Sequence, residues 1–157
     1  NYNIVRTINT KTNSFEYSAD NQKVLIYTGG YRKLATYAYS NKQSNEQRWG
    51  IAIPHISDRY ILGKIRQVPP GQAVSNRLWV IYFNSQSEAI NAESYINSKL
   101  IRFVMNVTKT TNTVNNIKNS TGNIPIIDFT KTLTDNDIYE LFNLTQDEIN
   151  YIENIVK

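Results

Sequence analysis

Apolar residues in the first half of the chain fall in short runs bounded by glycine, proline and polar clusters. Lys23-Val24-Leu25-Ile26-Tyr27 ends at Thr28-Gly29-Gly30, and Leu34-Ala35-Thr36-Tyr37-Ala38-Tyr39 follows. Arg48-Trp49-Gly50-Ile51-Ala52-Ile53 is closed by Pro54, which cannot donate to a β-ladder. Arg59-Tyr60-Ile61-Leu62 comes next, and Val68-Pro69-Pro70-Gly71 reads as a turn or loop. Leu78-Trp79-Val80-Ile81-Tyr82-Phe83 is unbroken, as suits a central strand buried on both faces. Each apolar run predicts a strand.

The second half changes period. Ser85 and Glu88 fit a capping box, in which each side chain satisfies the other residue's orphan amide. From about Gln86 to Val107, Ile90, Ile96, Leu100, Phe103 and Val104 recur near helical spacing, which predicts one long helix. Thr108 to Gly122 is polar and rich in Asn and Thr; a loop and a short helix both fit. Thr134 with Asp137, and Thr145 with Glu148, form two more capping boxes, opening helices over Asp135–Phe142 and Gln146–Val156. Ile149, Ile152 and Val156 share one face of the last helix.

These elements define an α+β fold: a mixed or antiparallel sheet in front, then a long helix and short C-terminal helices. Residues 1–157 are read as one domain, 1–84 mainly β and 85–157 mainly α. No internal repeat or low-complexity linker divides it.

Charge sharpens this division. Residues 1–84 carry 11 Lys/Arg against 4 Asp/Glu, a balance of +7, whereas residues 132–157 carry 1 against 6, a balance of −5. A basic front and an acidic tail point to an anionic partner for the front. No apolar run approaches the roughly 18–20 residues that span a bilayer. The start, Asn1-Tyr2-Asn3-Ile4-Val5-Arg6, has neither the basic nor the apolar region of a signal peptide. Lacking an initiator Met, it is expected to belong to a longer, cytoplasmic polypeptide with no membrane partner. The 21 asparagines are read as base composition, and the N-x-S/T triplets at Asn106, Asn119 and Asn143 as chance.

Candidate chemistry is mostly exclusion. The chain has no cysteine and one histidine, His55, which removes disulfides, thiolate metal sites, a cysteine nucleophile and any two-imidazole mechanism. Walker A, G-x-G-x-x-G, G-x-S-x-G, H-E-x-x-H and EF-hand patterns are absent. So is the acid-x-Lys triplet of metal-dependent restriction nucleases. Pro69-Pro70, between Val68 and Gly71, does not make the Asn/Asp-Pro-Pro-aromatic loop of an adenine methyltransferase. No catalytic residue and no cofactor are expected in this chain. His55 is read as an ordinary surface histidine rather than a DNA contact, and Trp49 and Trp79 as core residues rather than stacking platforms.

Two basic sets stand out. Gly29-Gly30-Tyr31-Arg32-Lys33 joins close backbone approach to phosphate- or guanine-binding side chains; a plain hairpin turn with polar flanks fits equally. Arg59, Lys64, Arg66 and Arg77 bracket the Pro-Pro-Gly loop, whose Gln72, Ser75 and Asn76 have groove-reading chemistry. The candidate DNA contacts are Tyr31, Arg32, Lys33, Lys42, Arg48, Arg59, Lys64, Arg66, Gln72, Asn76 and Arg77. Lys99 and Arg102 are secondary phosphate candidates; a helix face packed on the sheet is the other reading of that pair.

The C-terminal blocks carry a resemblance. Lys99-Leu100-Ile101-Arg102-Phe103 resembles a K-x-x-R-F helix, and Ile124-Pro125-Ile126-Ile127-Asp128-Phe129-Thr130-Lys131 a V-P-x-x-D-F-[ST]-K segment. Leu133-Thr134-Asp135-Asn136-Asp137-Ile138-Tyr139 is similar to W-T-D-E-x-L-Y. Phe142-Asn143-Leu144-Thr145-Gln146-Asp147-Glu148-Ile149 is similar to [FY]-G-L-T-x-E-E-I, and Tyr151-Ile152-Glu153 to F-I-E. These blocks resemble the C-terminal region of bacterial restriction–modification enzymes built around an adenine-specific DNA methylase. The likeness is strongest over 78–157, weaker over 49–83 and absent over 1–48. Leu133 stands where that family has tryptophan, a change of packing. Asn143 stands where it has glycine, a mild change because Asn tolerates a left-handed helix cap.

The resemblance implies a target-recognition domain for double-stranded DNA, following a methylase and in some members a fused endonuclease. S-adenosylmethionine, with or without Mg2+, would belong to the parent enzyme. Two rivals remain: a protein–protein module joining the methylase to a partner subunit, which predicts an exposed apolar patch, and a standalone hydrolase, which needs a buried carboxylate pair in a cleft.

Overall fold

A computed structural model describes residues 4–5, 22–27, 35–40, 45–54, 65–72, 74, 78–108 and 122–156. The strands are β1 (Ile4–Val5), β2 (Gln22–Tyr27), β3 (Ala35–Ser40), β4 (Trp49–Pro54), β5 (Arg66–Val68) and β6 (Leu78–Phe83). The helices are α1 (Gln86–Asn97), α2 (Lys99–Thr108), α3 (Asp135–Leu141) and α4 (Gln146–Ile155). The class is α+β, as the hydrophobic pattern predicts. The strand expected at Arg59–Leu62, and nearly all of the polar stretch after Thr108, lie outside the described residues.

One sheet has the order β1-β6-β4-β5; β2 and β3 form a separate two-stranded sheet with Lys23 opposite Tyr39. All described pairings are antiparallel. β6 lies between β1 and β4, with Trp49 opposite Phe83 and Pro54 opposite Leu78. Alternation sends its side chains to both faces, and both are covered. Ile51, Ile53, Trp79 and Phe83 join the cluster under the helices, while Ala52, Val68, Val74, Leu78, Val80 and Tyr82 form the cluster on the other face. Trp79 is buried and Trp49 packs half-buried on the helical cluster, so both tryptophans are core residues.

The Pro-Pro-Gly segment is a tight turn. Gly71 has φ +76° and the Gln72 amide donates to the Pro69 carbonyl at 3.2 Å. Proline at the second position and a positive-φ glycine at the third are what a type II turn requires.

The predicted long helix is two helices. Ser98 leaves the helical region (φ −61°, ψ 153°), and its amide closes α1 on the Tyr95 carbonyl at 3.1 Å. Its hydroxyl accepts from the Ile101 amide at 3.4 Å, which makes it the cap of α2 as well. The Lys99 amide, another orphan donor of the new helix, reaches Asp135 Oδ1 at 2.9 Å. The buried side of α1 is Ala89, Ala92, Tyr95 and Ile96, whereas Ile90, expected on the apolar face, is 48% exposed.

α1 packs on β4 and β6, and α2 joins α1 to α3 and α4. Phe129 wedges beneath, edge-on to Phe83 at 5.6 Å and tilted against Tyr95 at 5.8 Å. Of the three predicted capping boxes two are complete, Thr134 with Asp137 and Thr145 with Glu148; at α1 the Ser85 hydroxyl accepts from the Glu88 amide, but the Glu88 carboxylate accepts from the Asn84 amide instead of closing the box. Between those helices Asn143 takes φ +52°. The Asn143 amide donates to the Glu140 carbonyl and the Leu144 amide to the Tyr139 carbonyl, each at 3.0 Å. This is the Schellman closure with asparagine as the left-handed residue. Leu133 packs half-buried against the helical core.

Candidate nucleic-acid interface

The Arg66 site is set by sheet register. Arg66 lies opposite Ala52 and Val68 opposite Gly50, so Arg66 and Val68 share the face turned away from the helices. Gln67 points the other way, where its Nε2 donates to Glu93 of α1 at 2.5 Å.

Arg48 lies on the Arg66 face as well. Its guanidinium sits 5.6 Å from the centre of the Tyr82 ring, a cation–π placement. Gly50 makes room for that ring: a Cβ there would meet Tyr82 Cδ1 and Val80 Cγ1 at 2.9 Å. The tyrosine therefore lies across β4 and presents its face to the arginine.

Glu46 holds Arg48 from the other side. Arg48 Nε donates to Oε1 at 2.8 Å and Nη2 to Oε2 at 2.7 Å, a bidentate pair. The Arg48 side-chain bond, opposed by some burial and aided by the Arg48 amide and charge, holds the Glu46 carboxyl down at about 2. The same carboxylate bond raises the Arg48 pKa further above its ordinary range. The Glu46 carbonyl also accepts from the Gly71 amide at 2.7 Å. This ties the 45–48 segment to the Pro-Pro-Gly turn and brings Gln72 to the end of the sheet that carries Arg48. Gln72 is half-buried, and its buried Nε2 has no hydrogen-bond partner among the described residues. Arg66 stands toward the other end, since positions 48 and 52 are about 13 Å apart at the usual strand rise.

Lys99 and Arg102 belong to the helical layer. Lys99 Nζ pairs with Glu153 of α4, whose other oxygen accepts from Tyr139 at 2.8 Å. The lysine bond, then the tyrosine bond, lower the Glu153 pKa. Arg102 is half-buried on α2. α2 packs mainly on α1, α3 and α4, so the pair belongs to the helical layer rather than to a helix face laid on the sheet. Tyr31, Arg32, Lys33, Lys42, His55, Arg59, Lys64, Asn76 and Arg77 lie outside the described residues.

Sequence reasoning missed the partners of Arg48. Glu46 two residues upstream was a local signal for the ion pair, whereas Tyr82 comes from a different strand. Among the described residues no group of three or more His, Cys, Asp or Glu side chains could hold a metal ion, and no helix is long and apolar enough to cross a membrane. No protein-family model, curated protein or solved structure matches the chain.

Proposed function

We propose that this chain is a double-stranded DNA recognition domain of a restriction–modification adenine methyltransferase, with or without a fused endonuclease, and that it carries no catalysis itself. The observation that supports this reading best is the separation of charge. The basic half of the chain holds the sheet, with Arg48 and Arg66 on the face turned from the helices, while the most acidic segment forms α3 and α4. A duplex meeting the end of the sheet where Arg48 is exposed would leave the acidic helices away from its phosphates. Arg48, stacked on Tyr82 and oriented by Glu46, is suited to phosphate or guanine contact. An upstream methylase domain of the same cytoplasmic polypeptide would supply the chemistry and hold S-adenosylmethionine.

The test is titration of the chain into fluorescent duplex DNA at several salt concentrations. Binding should weaken log-linearly with salt, with a slope of about 0.9 per phosphate neutralised. Arg66→Ala and Arg48→Ala should each reduce that slope by about one. Absence of binding at low salt by a chain shown to be folded would exclude DNA docking.

A further inference from the structure

Helix α2 is apolar on more than the side it buries. Leu100, Ile101 and Met105 are buried in the core, while Phe103 and Val104 are half-buried and Val107 is exposed, so the apolar surface extends beyond the buried side. Leu100, Phe103 and Val104 wall a groove of about 560 Å³ between α2 and α4. Leu144, Tyr151 and Ile152 line its opposite side. Phe103 and Tyr151 meet edge to face across it at 6.0 Å. Two large apolar residues of these helices stand open to solvent, Tyr151 at 60% and Val107 at 56% exposure. The Lys99–Glu153 pair fastens α2 to α4, so the two walls are held together without an occupant.

The charge around the groove selects the occupant. Asp147 and Glu148 line it, and no lysine or arginine does. Neither carboxylate makes an ion pair among the described residues. They belong to the 132–157 segment, whose six acidic residues face a single lysine. An acidic partner would be repelled here, and a neutral one would leave the rim charge unanswered.

We propose that the α2–α4 groove docks a basic amphipathic helix of a protein partner, with apolar anchors packed against the exposed side of the Phe103–Tyr151 pair and flanking Lys or Arg side chains meeting Asp147 and Glu148. This is the helix-in-groove mode of recognition. It is independent of the DNA reading, since it uses the acidic helical layer rather than the arginine face of the sheet.

The probe is a fluorescein-labelled peptide of about 18 residues, long enough to sustain a helix, with Leu at i, i+3, i+4 and i+7 spacing and Lys elsewhere. Anisotropy should show saturable binding that weakens with salt. Tyr151→Ser should weaken it about tenfold, the loss typical of a truncated aromatic anchor. Asp147→Asn should weaken it less and flatten the salt dependence. Both substitutions are at exposed positions, and circular dichroism checks that each variant is folded. No saturable binding, or binding that Tyr151→Ser leaves unchanged, overturns the proposal. A dimer in sedimentation that Tyr151→Ser dissociates also overturns it, because the occupant would then be a second copy of this chain. DNA titration of the Tyr151→Ser variant should match the unsubstituted chain, which keeps failure of this proposal distinct from failure of the recognition reading.

Discussion

Asn91 is where a single polar side chain does most to close the structure, so its removal is the sharpest test of the packing described. It lies on the buried side of α1, 8% exposed. Its Nδ2 donates to the Phe129 carbonyl at 2.8 Å, and its Oδ1 accepts from the Thr132 hydroxyl at 2.7 Å. The two bonds draw the 129–132 segment onto α1 and set Phe129 against Phe83 and Tyr95. Asn91→Ala removes both, with unequal consequences. The buried Phe129 carbonyl loses the Asn91 amide, costing about 1–3 kcal/mol, whereas Thr132 is exposed and can bond to water instead. With the lost packing, the expected destabilisation is about 2–3 kcal/mol. Thr132→Ala should cost no more than about 1 kcal/mol. Urea unfolding followed by tryptophan fluorescence reads both. At a slope of about 2 kcal/mol/M, Asn91→Ala should lower the midpoint by about 1–1.5 M with the slope unchanged. Equal losses in the two variants, or a loss in Asn91→Ala below about 0.5 kcal/mol, would refute the asymmetry argued from burial.

Other expectations follow from single residues. Asn143→Val places a β-branched residue at φ +52° and should cost about 1–2 kcal/mol in thermal unfolding, whereas Asn143→Gly should stay within about 0.5 kcal/mol of the native chain. Carboxyl NMR should find Glu46 titrating at about 2, and Arg48→Ala should return it toward 4.5. Because the folded value is depressed, any stability from this pair is fully present above about 4.5 and is lost as pH falls toward about 2.

Local structure was readable from short stretches of sequence because its causes are short-range. A run such as Leu78–Phe83 needs no distant partner to mark it as a covered strand. Pro70-Gly71 fixes its turn through the φ preferences of two adjacent residues. Thr134–Asp137 and Thr145–Glu148 cap their helices through bonds reaching three residues. Asn143 in place of glycine was readable as a left-handed cap for the same reason. The candidate site was legible as a charge imbalance and as residue types, and of its members Arg48, Arg66 and Gln72 are seen on the sheet and its turn.

The sequence by itself therefore determined the α+β class, strands β2, β3, β4 and β6, the capped helix starts, and the exclusion of cysteine chemistry and paired-histidine mechanisms, whereas the short strands β1 and β5 carry no apolar run that marks them and are seen only as partners of β6 and β4. Tertiary structure alone decided where the long helical pattern breaks. Ser98 is an acceptable break because Asp135, 36 residues beyond Lys99, supplies an acceptor for the Lys99 amide of the new helix. It also decided that Ile90 faces solvent, that Asn91 seats a segment 38 residues distant, and that Lys99 spends its charge on Glu153, 54 residues on. The faces of the sheet were settled the same way, with Arg48 lying over a tyrosine from another strand. Periodicity and capping act within a few residues, whereas a buried polar group or a charge takes whichever partner the packed chain brings to it, and no local pattern encodes that partner.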